Sequence, residues 1–336
     1  MCGLDFEPRN EFCVRLAWRS KPTMSSLFEE IISLPNLFAA WREFIKGKNK
    51  KGDVLEFAAD LEEHIFLLHD DLANGKYRHG GYTTFIVSDP KPRRIHKACV
   101  RDRLLHHAVA RVLCPYFDGR FIFDSYSSRK GKGTHAAIKR FRDFAWRISR
   151  NRTRTVWILK MDVRKYFASI DHNILFSLFE KSFFGDGRLR DLLWEIINSF
   201  HAEKGKGIPL GNLTSQLFSN IYLNPLDQFV KRRLWAGQYI RYADDIFILS
   251  HNRNCLANTL ARMERFLEGV LALRLHPAKI HIMQWHRGVD ILGFVSSPTK
   301  TILRTKTRRR MIKRLVEASD FDEQYEALYS RMKYER

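Results

Sequence analysis

Carboxylates standing in apolar strands constrain this chain more than any other feature. The run Thr155-Val156-Trp157-Ile158-Leu159-Lys160-Met161-Asp162 reads as a buried strand ending on a carboxylate. Tyr239-Ile240-Arg241-Tyr242-Ala243-Asp244-Asp245-Ile246-Phe247-Ile248-Leu249 reads as two short strands around an Asp-Asp turn. Two adjacent like charges at the tip of an apolar hairpin cost on the order of several kcal/mol in repulsion and desolvation unless positive charge sits beside them. A divalent cation is the economical answer. Mg²⁺ takes one or two carboxylates and completes its octahedron with water and substrate phosphates, so a three-aspartate site points to phosphoryl transfer. Two such ions about 3.5–4 Å apart activate an attacking 3′-oxygen and stabilise a leaving pyrophosphate. The structural alternative is that Asp-Asp is simply a good turn former.

The surroundings of these acids are cationic. Fifty-eight Lys+Arg against 37 Asp+Glu leave a net charge of +21, which calls for a polyanion: nucleic acid first, an anionic membrane surface second. With 45% hydrophobic and 28% charged residues over 336 positions, the chain is a folded protein of one to three domains. Its longest apolar runs, such as 31–34 and 246–249, are far shorter than the roughly 20 residues of a membrane span. No apolar core of a secretion signal follows the start, so a cytoplasmic location without membrane contact is expected. The five cysteines are scattered without C-x-x-C spacing, and the histidines lack zinc-ligand spacing, so reduced thiols and no zinc site are expected.

Along the chain, residues 1–23 read as a loose arm, or as sequence upstream of the true start. A helix opens after Met24-Ser25-Ser26 with Leu27, Phe28, Ile31, Ile32 and Leu34 on one face. A second helix is expected from Asp53 to about Asn74, with Leu55, Phe57, Leu61, Ile65 and Leu68 inward. The 46–51 segment between them reads either as a solvated loop or as a phosphate contact. A strand over 82–87 and a second run after Asp89-Pro90-Lys91-Pro92-Arg93-Arg94 make a basic-tipped hairpin, followed by a helix over 102–113. A polar turn over 127–134 holds Arg129, Lys130 and Lys132. From Lys139 to Lys165 ten basic residues face only Asp143 and Asp162, with Trp146, Trp157, Tyr166 and Phe167 interleaved. A solvated helix face explains part of that run; a groove that neutralises phosphates and stacks bases explains the aromatics. Residues 300–314, including Arg308, Arg309 and Arg310, hold eight Lys/Arg and no acid, a second nucleic-acid track.

Several of these segments resemble the motifs of bacterial, intron-related reverse transcriptases. Tyr242-Ala243-Asp244-Asp245 is similar to the family's C motif, and Lys160-Met161-Asp162 with Tyr166-Phe167 to its A motif. Residues 207–216, Gly-Ile-Pro-Leu-Gly-Asn-Leu-Thr-Ser-Gln, followed by Leu217-Phe218-Ser219-Asn220-Ile221, resemble the B loop and helix. Lys279 in Leu275-His276-Pro277-Ala278-Lys279 is similar to the D-motif lysine, and Ile291-Leu292-Gly293-Phe294 to the E motif. Pro90-Lys91-Pro92-Arg93 and Val100-Arg101-Asp102-Arg103 resemble the fingers motifs, and all occur in family order over about 82–296.

The resemblance implies an α+β right-hand polymerase fold: fingers and amino-terminal helices over 24–150, a palm of antiparallel sheet and helices over 151–296 containing the B loop and helix at 208–235, and a short helical thumb over 297–336. It implies an RNA-directed DNA polymerase with two Mg²⁺ ions, Mn²⁺ being able to replace them. Asp162, Asp244, Asp245 and the Val163 carbonyl would hold the metals. Phe167 would block a ribose 2′-hydroxyl, with palm packing as the bland alternative. Lys91, Arg93 and Arg94 would grip the triphosphate, and Leu210, Gly211 and Gln216 would line the nucleotide site. Lys279 would neutralise or protonate the leaving pyrophosphate, with a solvated loop cation as its bland alternative. Most intron-type enzymes carry Gln at position 210 and Pro at 216. The Leu-Gly-x-x-x-Ser-Gln pattern here resembles reverse transcriptases of diversity-generating retroelements, and related sequences occur in antiphage defence. The thumb expected from helices over 307–319 and 320–336 is small, and no endonuclease, RNase H or zinc-bearing tail is expected. Such a polymerase takes dNTPs and a template RNA and makes a cDNA product, and with a small thumb it needs a dedicated noncoding RNA, and an accessory protein or self-association, to hold the duplex in place. Template-independent or protein-primed DNA synthesis on the same palm, and a non-catalytic RNA-binding role, are the competing readings.

Overall fold

The structure is a computed structural model describing residues 26–88, 91–183 and 185–316; the 1–23 arm and the helix expected over 320–336 lie outside the described residues. Helices α1 (Leu27–Ile32) and α2 (Leu34–Phe44) are separated by Ser33, whose extended backbone breaks the helix and whose hydroxyl accepts from the Asn36 N–H. The single helix expected over 53–74 is two, α3 (Gly52–Ala59) and α4 (Leu61–Ala73), because Asp60 takes a non-helical φ of −120° and ψ of 45°. The break turns a different stripe of α3 inward. Val54 is buried and Leu55 is 55% exposed, against expectation, whereas Ile65 and Leu68 of α4 are buried.

The hairpin β1 (Tyr82–Val87) and β2 (Arg93–Ala98) has the expected antiparallel pairing, from Tyr82 opposite Ala98 to Val87 opposite Arg93. Helix α5 (Val100–Asp118) runs further in both directions than the expected 102–113 and packs against α2. After α6 (Thr134–Ser149) come β3 (Trp157–Asp162), α7 (Tyr166–Ser169), α8 (His172–Glu180), α9 (Gly187–Asn198) and α10 (Leu213–Arg232). Then follow β4 (Tyr239–Tyr242), β5 (Asp245–Ser250), α11 (Arg253–Leu271), β6 (His281–Gln284), β7 (Val289–Ile291), β8 (Phe294–Ser296), β9 (Thr301–Leu303) and α12 (Thr305–Val316).

The central sheet is antiparallel in the order β4-β5-β3-β6 and is buried on both faces. Period-two alternation explains why its strands read as continuous apolar runs. Leu159, Met161, Ile246 and Ile248 join a core shared with α10 and α11, while Ile158, Phe247 and Leu249 join Phe141 and Phe144 of α6 on the other side. Each such fully buried side chain contributes about 1.5–3 kcal/mol. Parity therefore puts Asp162 and Asp245 on one face, that of Phe247.

One expectation needs correction. Most of the aromatics expected to stack bases are packed in the protein: Tyr166 is 2% exposed, and Trp146 meets the buried Trp285 edge-on at 5.8 Å. The position 296–297 expected to divide palm from thumb lies in the β8–β9 hairpin of a separate three-stranded sheet, β7-β8-β9, that runs to Leu303. Helix α12 begins at Thr305, two residues before the start expected for the first helix of the thumb. Among the described residues no helix is long and apolar enough to cross a membrane. Cys99 and Cys255 are exposed free thiols, and Cys114 is a half-buried one.

Candidate active site

Asp162, the last residue of β3, lies directly across from Asp245, the first residue of β5. Tyr242 pairs with the same Asp245, so Ala243 and Asp244 form a two-residue turn and the three carboxylates share one end of the sheet. Ala243 sits at φ +53°, a left-handed geometry that costs an alanine on the order of 1 kcal/mol. The turn is held from beneath. The fully buried Arg241 guanidinium donates to the Ala243 carbonyl at 3.2 Å, to both Asp227 carboxylate oxygens at 2.7–3.0 Å, to Asn220 Oδ1 at 3.0 Å and to Ser125 Oγ at 3.1 Å. The Tyr239 hydroxyl donates to the same Asp227 at 2.6 Å. Burial alone would favour a neutral Arg241, but Asp227 more than offsets it and holds the cation. This support joins the B helix to the C hairpin, and sequence reading missed it. The available signal was a lone base in an apolar strand and a lone acid in an apolar helix.

The carboxylates strain against one another. Burial and then the neighbouring Asp162 raise the Asp244 pKa, and burial with Asp244 pushes Asp245 up to about 6. A carboxyl held above its unfolded value favours the fold when protonated. That benefit is greatest below about pH 4 and disappears as pH rises through about 6. In metal-free protein, Asp245→Asn is therefore expected to be more stable than wild type, with a gap that is smallest near pH 4 and widens by about 3 kcal/mol above pH 7. Denaturant titrations of the two proteins across that range check it; a gap independent of pH would contradict it.

Lys279, the cation expected from the D-motif resemblance, lies at this end of the sheet. The chain after α11 runs antiparallel to the end of β3, pairing Val163 with Leu275, and the His276 N–H bonds the Asp162 carbonyl at 2.8 Å. A 3-10 turn over Pro277–Lys279 then places Lys279 Nζ 2.8 Å from Asp162 Oδ2. The Lys279 side chain is 45% exposed, so it can follow a phosphate that approaches from solvent. The pairing uses the Asp162 carbonyl and the Arg164 N–H, and leaves the Val163 carbonyl out of that bridge.

The nucleotide-site candidates surround this end of the sheet unequally. Arg93 is close enough to Asp244 to counter the rise in its pKa. Arg94 alternates to the other face of β2, and Lys91 is exposed beside the hairpin tip. The B loop docks on the fingers: the His96 N–H donates to the Leu210 carbonyl at 3.0 Å, and Gly211 sits at φ +116°, where a Cβ would lie 2.8 Å from Ile95 Cγ2. Only glycine fits that approach. The Phe167 carbonyl accepts from the Ile208 N–H at 2.9 Å, tying the A-motif helix to the B loop, and its ring is half-buried against Tyr166. Gln216 is exposed on the first turn of α10.

The basic turn divides by role. Arg129 is spent on structure, donating to Asp118 and to the Ile122 and Ser125 carbonyls, and Lys132 donates to the Phe123 carbonyl, whereas Lys130 is exposed. Arg308 and Arg309 are exposed on α12, and Arg310 is half-buried.

Comparison with known proteins matches residues 88–296 to the family described as reverse transcriptase (RNA-dependent DNA polymerase), more than half of the chain and all of the carboxylate cluster. The chain belongs to the reverse transcriptase family. Protein YkfC of Escherichia coli K12 is 26% identical over 289 residues, covering 74% of each chain. The group II intron-encoded protein LtrA of Lactococcus lactis subsp. cremoris is 26% identical over 196 residues, 55% of this chain and 31% of that protein. The telomerase of Candida albicans shares the fold at a TM-score of 0.51 and 10% identity, over 72% of this chain and 51% of the telomerase chain. The chain thus spans about a third of LtrA and half of that telomerase. The right-hand polymerase fold and the reverse transcriptase domain are those expected from the motifs, and the domain is that of an RNA-directed DNA polymerase.

Proposed function

We propose that this reverse transcriptase extends a DNA 3′-end along an RNA template by two-metal nucleotidyl transfer at Asp162, Asp244 and Asp245. The observation that carries the reading is the placement of three carboxylates, two with raised pKa, at one end of a sheet beside Arg93 and Lys279. Among the described residues no group of three or more His, Cys, Asp or Glu side chains forms a ready-made metal cage. The donor set fits Mg²⁺ in an open arrangement nevertheless, because that ion takes few protein ligands and completes its shell with water and phosphates. Asp162 and Asp244 would be the principal ligands, with Asp245 and the Val163 carbonyl alongside. Bound there, the ions would lower the pKa of the attacking 3′-hydroxyl and stabilise charge on the leaving pyrophosphate.

The chain's own residues bind, select and donate. Arg93 and Lys91 receive the triphosphate, with Arg94 as the alternate cation. Lys279 exchanges Asp162 for the β- and γ-phosphates and supplies a proton to the departing pyrophosphate. The Phe167 ring excludes a 2′-hydroxyl by shape, so Phe167→Ala is expected to let ribonucleotides compete at least tenfold better. Competition assays of rNTP against dNTP measure this, and unchanged preference removes Phe167 from that role.

The finer setting rests on the B loop. Leu210 offers no side-chain hydrogen bond to a base, and the Leu210-Gly211…Ser215-Gln216 pattern supports copying of one dedicated noncoding RNA, in a defence system or a diversity-generating retroelement. Extension of a labelled DNA primer on a defined RNA template tests the main reading. Product complementary to the template is expected. Equal synthesis after complete RNA digestion would replace it with template-independent or protein-primed polymerisation. No synthesis alongside tight RNA binding would leave an RNA-binding protein. Sequencing the nucleic acid that copurifies with the chain identifies template, product and errors together.

A further inference from the structure

Of the ten basic residues from Lys139 to Lys165 seven are exposed, although Trp146 in the same run is half-buried against Trp285. Arg147, Arg150 and Arg154 are exposed, and their guanidinium groups make no ion pair or side-chain hydrogen bond among the described residues. All three line a cleft of about 370 Å³ at the far end of the central sheet, beside Ser250 of β5. No carboxylate lines it. Five residues of strand separate Ser250 from Asp245, about 17 Å at the usual rise, so the cleft is outside the catalytic end.

An aromatic ring arrives there from elsewhere in the chain. Past the end of α10 the backbone folds back, with the Ala236 N–H bonded to the Val230 carbonyl at 3.1 Å, and Trp235 takes φ +52°. Glycine or asparagine suits that geometry; for tryptophan it is a genuine outlier. The side chain gains no core packing in return, because Trp235 is 83% exposed. Arg150, which also lines the cleft, opens a run of three consecutive non-glycine residues, Arg150, Asn151 and Arg152, at φ +45°, +54° and +69°. Two unfavourable backbone segments thus present an open indole and the unpaired Arg150 guanidinium to one cleft, with Arg147 and Arg154 beside them, and strain concentrated in this way marks functional surfaces.

We propose that this cleft is a second nucleic-acid site, which holds single-stranded RNA outside the catalytic groove, with a base stacked on Trp235 and flanking phosphates on Arg147, Arg150 and Arg154. Guanidinium forks match phosphate oxygens two at a time. An exposed indole supplies the stacking platform that unpaired bases use, which a duplex, with its bases already stacked, cannot exploit. The choice of RNA over DNA rests on the polymerase reading, in which the template is single-stranded before copying and the DNA product leaves in a hybrid.

The test uses the full chain with a primer–template duplex bound first, so that the catalytic groove is filled, and follows a labelled 12-nucleotide single-stranded RNA by anisotropy. Trp235→Gly suits the backbone better than the native residue, so a rise of a few degrees in Tm is expected together with RNA binding weakened about tenfold or more. Arg147→Gln/Arg150→Gln/Arg154→Gln is expected to weaken binding and to flatten its dependence on salt by about 0.7 per lost contact in log–log slope. Primer extension on a short template is expected to stay unchanged in both variants. RNA binding equal to wild type in both variants would overturn the proposal. So would equal affinity for single-stranded DNA, or displacement of the RNA by an acidic peptide at similar concentration. Loss of polymerisation in wild type with this binding intact would sink the polymerase reading and leave the site standing.

Discussion

Asp244→Asn is expected to lower RNA-templated dNTP incorporation by about a thousandfold or more, equivalent to roughly 4 kcal/mol of transition-state stabilisation. Removing a buried negative charge beside Asp162 relieves repulsion, so the variant is expected to fold at least as stably as wild type when no metal is bound. RNA binding depends on basic groups elsewhere and is expected to change little. Single-turnover incorporation read beside RNA anisotropy separates these effects. Near-normal incorporation by a well-folded Asp244→Asn protein would contradict the assignment of Asp244 as a principal ligand, and parallel loss of both readouts would point to misfolding.

The largest stability effect is expected under the turn. Arg241→Met leaves the Asp227 carboxylate buried without its partner, and breaking a buried pair in this way costs about 3–5 kcal/mol. Such a loss is a large share of the roughly 5–15 kcal/mol that holds a typical domain together. The double variant Arg241→Met/Asp227→Leu removes the stranded charge as well and is expected to recover much of the loss. Its incorporation rate is expected to remain low, because nothing then holds the Ala243 carbonyl and the strained turn beside it. Denaturant midpoints for wild type, single and double variants, with kcat measured on the folded double variant, check both parts. Full activity in the double variant would show that Arg241 serves stability alone.

What the sequence made legible follows from how local each feature is. The strands over 82–87, 157–162 and 245–250 were readable because apolar runs and turn residues bracket them, and the acids stood out because such strands have no other reason to carry charge. The family resemblance put Asp162 with Asp244 and Asp245 at one metal site, but the pairing of Asp162 with Asp245 depends on the sheet order and register, which the fold supplies. Features decided by tertiary contact were not readable. The break at Asp60 reverses the burial expected of Leu55, and nothing in the alternation around 53–74 announces it. Trp146 and Trp157 read as stacking platforms in a basic run, yet the first packs on Trp285, whereas the tryptophan left open among the described residues is Trp235, distant in sequence from the arginines it accompanies. Arg241 and Asp227 each looked like an isolated charge until the fold joined α10 to β4. The ion pair between Lys279 and Asp162 depends likewise on how the chain after α11 returns along β3.

The central claim is that these carboxylates hold the cations that meet the incoming triphosphate. Anomalous scattering from crystals grown with Mn²⁺, an RNA–DNA primer–template and a non-reactive dNTP analogue tests it most directly. Two manganese peaks about 3.5–4 Å apart are expected, both within bonding distance of Asp162 and Asp244, with Lys279 moved from Asp162 toward the phosphates. A well-ordered duplex and triphosphate with no manganese at either carboxylate would contradict it.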